Sequence, residues 1–431
     1  MSKKIFYNAR IIDPSSGLDC NGSLIIENEK ILSIEKDIQP EINDENIEVF
    51  NCNKNILSPG IIDIGVSIGE PGNEYKENII TATKSAAAGG VTTIISMPDT
   101  KPVIDDVTLV DFIIRRAKNL GVVKIIPMAS LSKNIDGQKM SEIGLLKNSG
   151  AIAFSDGYKS IQNTKLMKNL ILYCSDFDAL ICHFTDDNDL SDGGVMNEGE
   201  ISTRLGLKGI PPISESIILE RDIKLLNFLK VGKYHASCIT TKEAIDSIRL
   251  AKSKSLNISA ATSQYHFILN ESEVINYRTF AKLKPPLRSE QDRIEVIKGI
   301  KDNTIDVISS FHRPETEENK RLPFSLAKFG ATGLETLLSS TLNLYHSNEV
   351  SLLQLMHKLT TGPANLLNLD QGRLTPGSPA DIILFDPDKP WVVKSEMFFS
   401  KSKNSPFNNL PMQGKVLMTI VSGKIVYPFR K

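Results

Sequence analysis

The sequence predicts an α/β protein, a (β/α)8 TIM-type barrel with a small β-sandwich formed by the N- and C-terminal segments. Two observations favour the barrel: eight short apolar segments follow one another along the chain, and helix-compatible segments separate them. A third favours the sandwich, because short strand-like segments with turns are found at both ends of the chain. The length of 431 residues suits a large barrel with an accessory domain.

The predicted barrel strands occupy the central part of the chain. They are segments 61–68, 92–97, 122–128, 151–155, 179–184, 233–239, 257–263 and 304–310. Helix-compatible segments between and after them include 75–89, 105–119, 139–149, 213–230, 241–253, 289–301 and 332–345. Active sites of such barrels lie at the C-terminal ends of the strands. Polar residues at those ends are therefore the candidates for function.

The two ends of the chain carry the remaining strand signals. Residues 4–12 favour a strand, and a hairpin is predicted around Glu27-Asn28-Glu29-Lys30. Segments 372–387 and 416–427 also favour strands, at the C-terminal end of the chain. We expect them to pair with the N-terminal strands. We predict a sandwich domain of residues 1–57 and 365–431 and a barrel domain of residues 58–364.

Composition excludes several classes of function. The net charge of −1 provides no basic field for nucleic acid or an anionic membrane. No apolar run approaches the roughly 18 residues that span a bilayer, and the first residues lack the apolar core of a signal peptide. Five cysteines, without a CxxC pair, indicate reduced thiols. We expect a cytoplasmic protein with no nucleic-acid or membrane partner.

The segment 58–72 resembles the first barrel strand of the dihydroorotases, a family of the amidohydrolases. Their pattern Pro-Gly-x-Ile-Asp-x-His-x-His-x-Arg-Glu-Pro-Gly is matched here except at the two histidines and the arginine. Further segments that resemble the family follow in its order: 97–102, 153–157, His183, 197–199, 207–211, 235–238, 282–288, 305–315 and 333–336. The resemblance covers nearly the whole chain. It implies the barrel, the sandwich built from both ends, and a place in de novo pyrimidine biosynthesis.

The resemblance also implies which positions would bind the metal ions. Family members hydrolyse or close a cyclic amide, and the metal activates a water and polarises a carbonyl. Their first-strand histidines correspond to Gly65 and Ser67 in this chain, and their strand-eight aspartate, which is also the general base, corresponds to Phe311. Glycine and phenylalanine side chains cannot bind a metal, and a neutral serine hydroxyl is a poor zinc ligand. We therefore predict that the binuclear site and the catalytic base are lost.

Three potential ligands remain at the other strand ends, namely Asp156, His183 and Cys238. We expect no cofactor, with Cys238 a small buried apolar residue and His183 a hydrogen-bonded side chain. One alternative stays open: these three residues could hold one zinc ion, since thiolate is a good zinc donor.

The positions that hold the anionic substrate in the family have changed independently. The arginine, asparagine and histidine that bind the substrate carboxylate correspond here to Gly69, Asp99 and Glu315. Two carboxylates, Asp99 and Glu315, therefore occupy positions that hold hydrogen-bond donors in the family. In a partly desolvated pocket they would repel the substrate carboxylate by on the order of a few kcal/mol. This opposes binding of the same substrate. It leaves open an acidic pocket of Asp99, Glu315 and Asp156 for a cationic ligand.

The family's motifs are matched along the chain, whereas the residues that bind metal and substrate are replaced. This combination favours a non-catalytic role. The chain resembles the pseudo-dihydroorotase subunits that bind the aspartate carbamoyltransferase catalytic chain in some bacteria, which implies that partner and an oligomeric assembly. The alternative is an active dihydroorotase, or another cyclic-amide hydrolase, with a rearranged mononuclear zinc site. A metal-free binding protein is a third reading. The sequence does not locate a partner interface.

Overall fold

The computed structural model of the protein describes residues 3–36 and 47–429. Residues 1–2, 37–46 and 430–431 of the predicted sandwich domain lie outside the described residues. The strands, numbered in chain order, are β1 (Lys3–Asp13), β2 (Leu18–Glu27), β3 (Lys30–Lys36), β4 (Ile47–Asn51), β5 (Ile56–Pro59), β6 (Ile61–Val66), β7 (Val91–Ser96), β8 (Lys124–Pro127), β9 (Leu180–His183), β10 (Met196–Asn197), β11 (Gly209–Ile210), β12 (Lys233–Ala236), β13 (Ile258–Ser263), β14 (Val307–Ser309), β15 (Ile382–Val392), β16 (Pro411–Val421) and β17 (Lys424–Tyr427).

Helices alternate with the central strands and continue beyond them. They are α1 (Ile79–Ala88), α2 (Val107–Leu120), α3 (Ile143–Asn148), α4 (Thr164–Asp176), α5 (Asn188–Ser191), α6 (Glu200–Leu205), α7 (Ile213–Leu229), α8 (Lys242–Ser253), α9 (Gln264–Ile268), α10 (Glu290–Lys301), α11 (Glu317–Arg321), α12 (Leu337–His346), α13 (Leu352–Leu359) and α14 (Thr361–Leu367). In the part of the chain described, no helix combines the length and hydropathy needed to cross a membrane.

The central strands form the predicted barrel. Strands β6, β7 and β8 pair in parallel, and so do β9, β12, β13 and β14. Phe154 connects the two groups through isolated parallel bridges to Ala129 and Ile181. The wall closes where the Ser67 N–H donates to the carbonyl of His312, at 2.9 Å. These contacts confirm the predicted fold class.

The fourth barrel strand is shorter than predicted. Segment 151–155 contributes a bridge at Phe154, whose N–H donates to Leu180 O at 2.9 Å and whose carbonyl accepts the Cys182 N–H at 2.8 Å. The chain leaves the wall soon afterwards, because Gly157 has φ +64°, a left-handed conformation that ends an extended segment. The segment thus has the predicted place in the barrel without forming a regular strand.

Side-chain caps decide where several helices begin. The segment 75–89 was predicted to be helical, but α1 begins only at Ile79, because the Asn78 side chain accepts the Thr81 N–H at 3.0 Å. Asp106 caps α2 in the same manner through the Thr108 N–H, at 2.8 Å. These helices pack their apolar faces onto the barrel wall in one continuous core.

The two ends of the chain pair with each other, as predicted for the sandwich domain, and their strands belong to one sheet. Its order is β17-β16-β15-β5-β1-β2-β3, with β4 also paired to β1. The N- and C-terminal parts join where β5 and β15 pair antiparallel. The core of this sheet is apolar and includes Phe6, Ile11, Leu24, Ile382 and Ile420. Strand β5 runs across the first predicted domain boundary, so sheet and barrel follow each other without a linker.

Glu335 anchors the segment 395–410, which packs along the barrel before β16. One carboxylate oxygen accepts the N–H groups of Phe399 at 2.7 Å and Ser400 at 3.2 Å, and the Ser85 hydroxyl at 2.9 Å. Burial raises the pKa of Glu335 from 4.5 to about 7. The folded protein thus holds this proton more tightly than the unfolded chain does, and the stability gained from it is lost as the pH rises from 4.5 through 7.

Replacing Glu335 with glutamine is expected to remove this pH dependence. Between pH 5 and pH 8 the wild-type free energy of unfolding should fall by about 2 kcal/mol more than that of Glu335→Gln. Urea unfolding at the two pH values measures the difference. Glu396→Gln, at an exposed position of the same segment, serves as the control and should follow the wild type. Parallel pH profiles for wild type and Glu335→Gln would contradict the expectation.

Candidate functional site

The centre of the barrel mouth is closed by an aromatic ring. Phe311 follows β14, has φ +45° and is only 8% exposed. Its ring lies against Gly65 near the end of β6: a Cβ atom at Gly65 would be 3.5 Å from Phe311 Cε1 and 3.1 Å from Met97 Cε. Phe311 also shares an apolar cluster with Cys238. Gly65 therefore borders the phenyl ring, which a Cβ atom would meet at ordinary van der Waals distance, whereas the contact with Met97 would be tight.

Little space remains beneath this ring. The cavity at the barrel mouth has a volume of about 20 Å³. Its lining residues are Tyr158, Cys238, Ser263, Tyr265, His266, Leu283, Lys284, Pro285, Phe311, Arg313, Gly330 and Ala331. A single water molecule needs about 10–15 Å³ by this kind of measure, whereas sites for small organic ligands usually exceed about 300 Å³. The cavity thus has room for water and not for a cyclic amide.

Both ring nitrogens of His183, at the end of β9, already have partners. Nε2 lies 2.9 Å from the backbone nitrogen of Ile161, and Nδ1 lies 2.8 Å from Asp222 Oδ2. A backbone N–H can only donate, so Nε2 is the accepting nitrogen and Nδ1 carries the proton. In this arrangement His183 has no lone pair to offer a metal ion.

Asp222 is a functional candidate that the sequence analysis missed. It is fully buried, and its carboxylate accepts bonds from the Tyr234 hydroxyl at 2.8 Å and from Arg221 Nε at 2.9 Å, besides that from His183. The helical spacing of the sequence could have identified Asp222. Asp222 lies four residues from both Ile218 and Leu226, which places a carboxylate on the buried face of α7. The network fixes the ring of His183 and satisfies a buried charge.

The other two predicted ligand candidates are also engaged. Asp156 accepts the Ser132 N–H at 2.9 Å and the Ser132 hydroxyl, and burial raises its pKa. Burial raises the pKa of the Cys238 thiol well above its usual range, which favours the neutral thiol in this environment. Across residues 3–36 and 47–429, no three His, Cys, Asp or Glu side chains are grouped so that they could hold a metal ion. This donor set does not fit a zinc ion as it is arranged.

A polar cleft lies beside the aromatic ring, at the positions where the resemblance implies a substrate carboxylate. It has a volume of about 180 Å³ and is lined by Ser67, Gly69, Asn73, Lys76, Asp99, Arg313, Pro314 and Glu315. The Ser67 hydroxyl donates to Asp99 Oδ2 at 2.7 Å. Asp99 and Glu315 thus line one cleft, whereas Asp156 is not among its lining residues. The structure does not bring the three carboxylates of the predicted acidic pocket together.

Two features of the cleft were not visible in the sequence. Lys76, which belongs to no recognised motif, forms an ion pair with Glu315 at 2.8 Å, and Asn319 donates to the other Glu315 oxygen at 2.7 Å. At Gly69, with φ +72°, a Cβ atom would lie 2.3 Å from the carbonyl oxygen of Glu77. The charge of Glu315 is therefore balanced by Lys76. Any side chain at position 69 would clash with the backbone.

Comparison with families of known proteins gives two matches. Residues 54–244 match the family described as dihydro-orotase-like, and residues 337–427 match the amidohydrolase family. The chain is 42% identical over 428 residues to the dihydroorotase of Anaplasma phagocytophilum (strain HZ). The aligned region covers 98% of this chain and 94% of that protein. It is 39% identical over 425 residues to the dihydroorotase of Syntrophus aciditrophicus (strain SB). The aligned region covers 99% of each of the two chains.

Solved structures of lower identity share the fold. An L-hydantoinase (dihydropyrimidinase) from Arthrobacter aurescens superposes with a TM-score of 0.86 at 21% identity, covering 99% of this chain and 96% of that one. A dihydropyrimidinase from Brevibacillus agri NCHU1002 gives 0.85 at 20% identity, covering 98% and 94%. At such identities the likeness concerns the barrel and sandwich alone.

Proposed function

The chain belongs to the dihydroorotase family of the amidohydrolase superfamily, and from that membership we propose that it is a catalytically inactive member of pyrimidine biosynthesis. Its role is that of a pseudo-dihydroorotase subunit, a structural partner of the aspartate carbamoyltransferase catalytic chain. The pathway is supported by the full-length relatives named dihydroorotase. The partner rests on the resemblance to pseudo-dihydroorotase subunits.

The observation that carries the proposed inactivity is the ring of Phe311 seated over Gly65. Hydrolysis of a cyclic amide needs an activated water, a proton acceptor and room for the substrate. Here the residue in the position of the proton acceptor is a hydrocarbon. The cavity that it lines is about 20 Å³ and the polar cleft is about 180 Å³, both below the roughly 300 Å³ usual for small organic ligands. The ring thus removes the base and occupies the reaction space at once.

The polar cleft gives independent support. The substrate of a dihydroorotase is an anion, and its carboxylate needs donors. At the corresponding positions, Gly69 has no room for a side chain, and Asp99 is itself an acceptor. Glu315 already takes up the nearby Lys76 cation. The cleft also contains Arg313, so its charges are mixed, but the cationic fork that the resemblance implies at position 69 is missing.

An active dihydroorotase or other cyclic-amide hydrolase with one zinc ion is the second candidate. The names of the relatives and the 42% identity over nearly the full length favour it. It requires that His183 give up its bond to Ile161 or to Asp222, and that Cys238 lose its proton. Metal content and turnover distinguish the two candidates.

We expect the purified chain to show no hydrolysis of dihydroorotate and no cyclisation of carbamoyl aspartate, with or without added zinc. Loss of both the activated water and the base should lower the rate at least about 10⁴-fold relative to an active dihydroorotase measured alongside. Elemental analysis should find far less than one zinc per chain. Turnover that rises in proportion to bound zinc would refute the inactivity and favour the second candidate.

The partnership is tested by co-expression with the aspartate carbamoyltransferase of the same genome. We expect the two chains to co-elute at a mass above that of either alone, and the transferase to be more active or more stable in the complex. The transferase expressed alone is the control. Separate elution, together with an unchanged transferase, would remove the proposed role while leaving the inactivity untouched.

A further inference from the structure

The polar cleft beside the aromatic ring is lined by two cationic and two anionic side chains. They are Lys76, Asp99, Arg313 and Glu315. Lys76 and the buried Glu315 form an ion pair at 2.8 Å. Neither Arg313 nor Asp99 takes part in a salt bridge within the described ranges 3–36 and 47–429. The cleft therefore has one unpaired positive group and one unpaired negative group.

The guanidinium of Arg313 is held in place by an aromatic ring. Its Cζ lies over the ring of Tyr158, 4.1 Å from the centroid, and Tyr158 is buried. The backbone is fixed as well, because the Arg313 N–H donates to Ala331 O at 2.8 Å. A guanidinium that stacks on a ring uses its flat face, whereas its N–H donors lie in the plane. Arg313 thus offers a positioned donor fork of the kind that binds a carboxylate.

Asp99 is the acceptor of the cleft. The hydroxyl of Ser67, which directly follows β6, donates to Oδ2 at 2.7 Å and so fixes the carboxylate. Gly157 lies on another side of Asp99, where a Cβ atom would be 3.4 Å from that of Asp99. An ionised carboxylate can accept about four hydrogen bonds. Asp99 can therefore accept further bonds from a cationic group in the cleft.

We infer that the polar cleft binds a small amino acid as its zwitterion, with the ligand carboxylate on Arg313 and the ligand ammonium on Asp99. The carboxylate supplies only acceptors and the ammonium only donors, which complements the two protein groups. A simple anion would be repelled by Asp99, and a simple cation would be repelled by Arg313. Only a ligand that carries both charges pairs with both residues.

The other walls of the cleft limit the size and charge of the ligand. The volume of about 180 Å³ suits a compound of few non-hydrogen atoms. Gly69 adds no side chain, and the pair of Lys76 with Glu315 is neutral as a whole, so neither wall calls for a third charge on the ligand. Arg313 is at none of the positions that the resemblance implies for a substrate carboxylate. The inference goes beyond the proposed function and does not rest on it.

Titration calorimetry on the full chain tests the inference with four probes. Glycine and β-alanine carry both charges, separated by one and by two carbon atoms, whereas acetate and methylammonium carry one charge each. The tighter of the two amino acids should bind with a dissociation constant below about 1 mM. Acetate and methylammonium should each bind at least about 10-fold more weakly than that amino acid, because each leaves one charged group of the cleft unpaired.

Two substitutions that each remove one charge should change the preference in opposite directions. Asp99→Asn should weaken binding of the amino acid at least about 10-fold and strengthen binding of acetate about 3-fold or more, because the repelling carboxylate is gone. Arg313→Gln should likewise weaken the amino acid and strengthen methylammonium. A gain in affinity for one probe cannot result from misfolding, so the exchange of preference separates a binding role from a structural one.

A matched control and three outcomes complete the test. Arg321→Gln removes an exposed arginine that pairs with Glu317 on α11, and it should leave all four affinities unchanged. The inference is overturned if neither amino acid binds at about 50 mM, or if acetate or methylammonium binds the wild type as tightly as the better amino acid. It is also overturned if Asp99→Asn and Arg313→Gln weaken every probe alike. The titrations contain neither dihydroorotate nor aspartate carbamoyltransferase, so their result is separate from the fate of the proposed function.

Discussion

Gly69→Ala is expected to lower the free energy of unfolding by about 3 kcal/mol or more. The φ angle of +72° is one that residues with a Cβ atom adopt at a cost of about 1–2 kcal/mol. The new Cβ would also lie 2.3 Å from the carbonyl oxygen of Glu77 and 3.0 Å from that of Asn73, so the backbone must move. Overpacking of this kind adds about 1–3 kcal/mol. Chemical denaturation measures the loss.

Gly17→Ala is the matched control. Gly17 has φ +69°, but a Cβ atom there would meet nothing within 4 Å. Its loss should therefore reflect the backbone conformation alone, at about 1 kcal/mol. Equal losses in the two variants would show that the contact with Glu77 is relieved without cost.

The same clash has a functional consequence. Gly69→Arg would reinstate the side chain that family members use on the substrate carboxylate, yet we expect it to be destabilised at least as much as Gly69→Ala and to remain inactive. A stable Gly69→Arg variant that turns over dihydroorotate would contradict both the clash and the proposed inactivity.

His183→Ala is expected to destabilise the protein by about 3–5 kcal/mol, irrespective of added metal. The substitution removes one partner of the buried Asp222 carboxylate and leaves the Ile161 N–H without an acceptor. The lost hydrogen bond to the carboxylate and the unsatisfied Ile161 N–H each cost about 1–3 kcal/mol, and the space left by the buried ring adds to this. Asp222 keeps its bonds from Arg221 and Tyr234. Since the role is structural, chelation of the wild-type protein should leave its Tm unchanged.

His357→Ala provides the comparison for a histidine at an exposed position. Its effect should stay within about 0.5 kcal/mol. A wild-type Tm that falls on chelation, together with zinc lost from His183→Ala, would show that His183 binds metal. That result would favour the mononuclear hydrolase over the inactive subunit.

Much of the fold could be predicted because its signals are local. Apolar segments and turns identified all eight wall positions and the strands at both ends. The fourth segment was expected to be a strand, and it became a bridge because Gly157 turns the chain. Helix starts shifted where a cap such as Asn78 was not read as one. Periodicity reports which face is buried, but a single side-chain bond decides where an element begins.

For the candidate site, the chemistry of single residues could be predicted from the sequence, whereas their partners in the fold could not. Gly65 and Phe311 lack donor atoms wherever the chain places them, so their failure as ligands could be read from the sequence. The pairing of Lys76 with Glu315 joins residues 239 positions apart, and no local pattern predicts it. The same holds for the partners of His183, which come from the loop before α4, from α7 and from β12.

The sequence by itself determined the barrel, the sandwich from both ends and the family, because hydrophobic periodicity and motif order are properties of neighbouring residues. Only the tertiary structure decided that the Phe311 ring fills the barrel mouth, that position 69 has no room, and that His183 has no free lone pair. Free volume and hydrogen-bond occupancy depend on atoms that meet only when the barrel closes, and they are therefore not encoded in any single stretch of the chain.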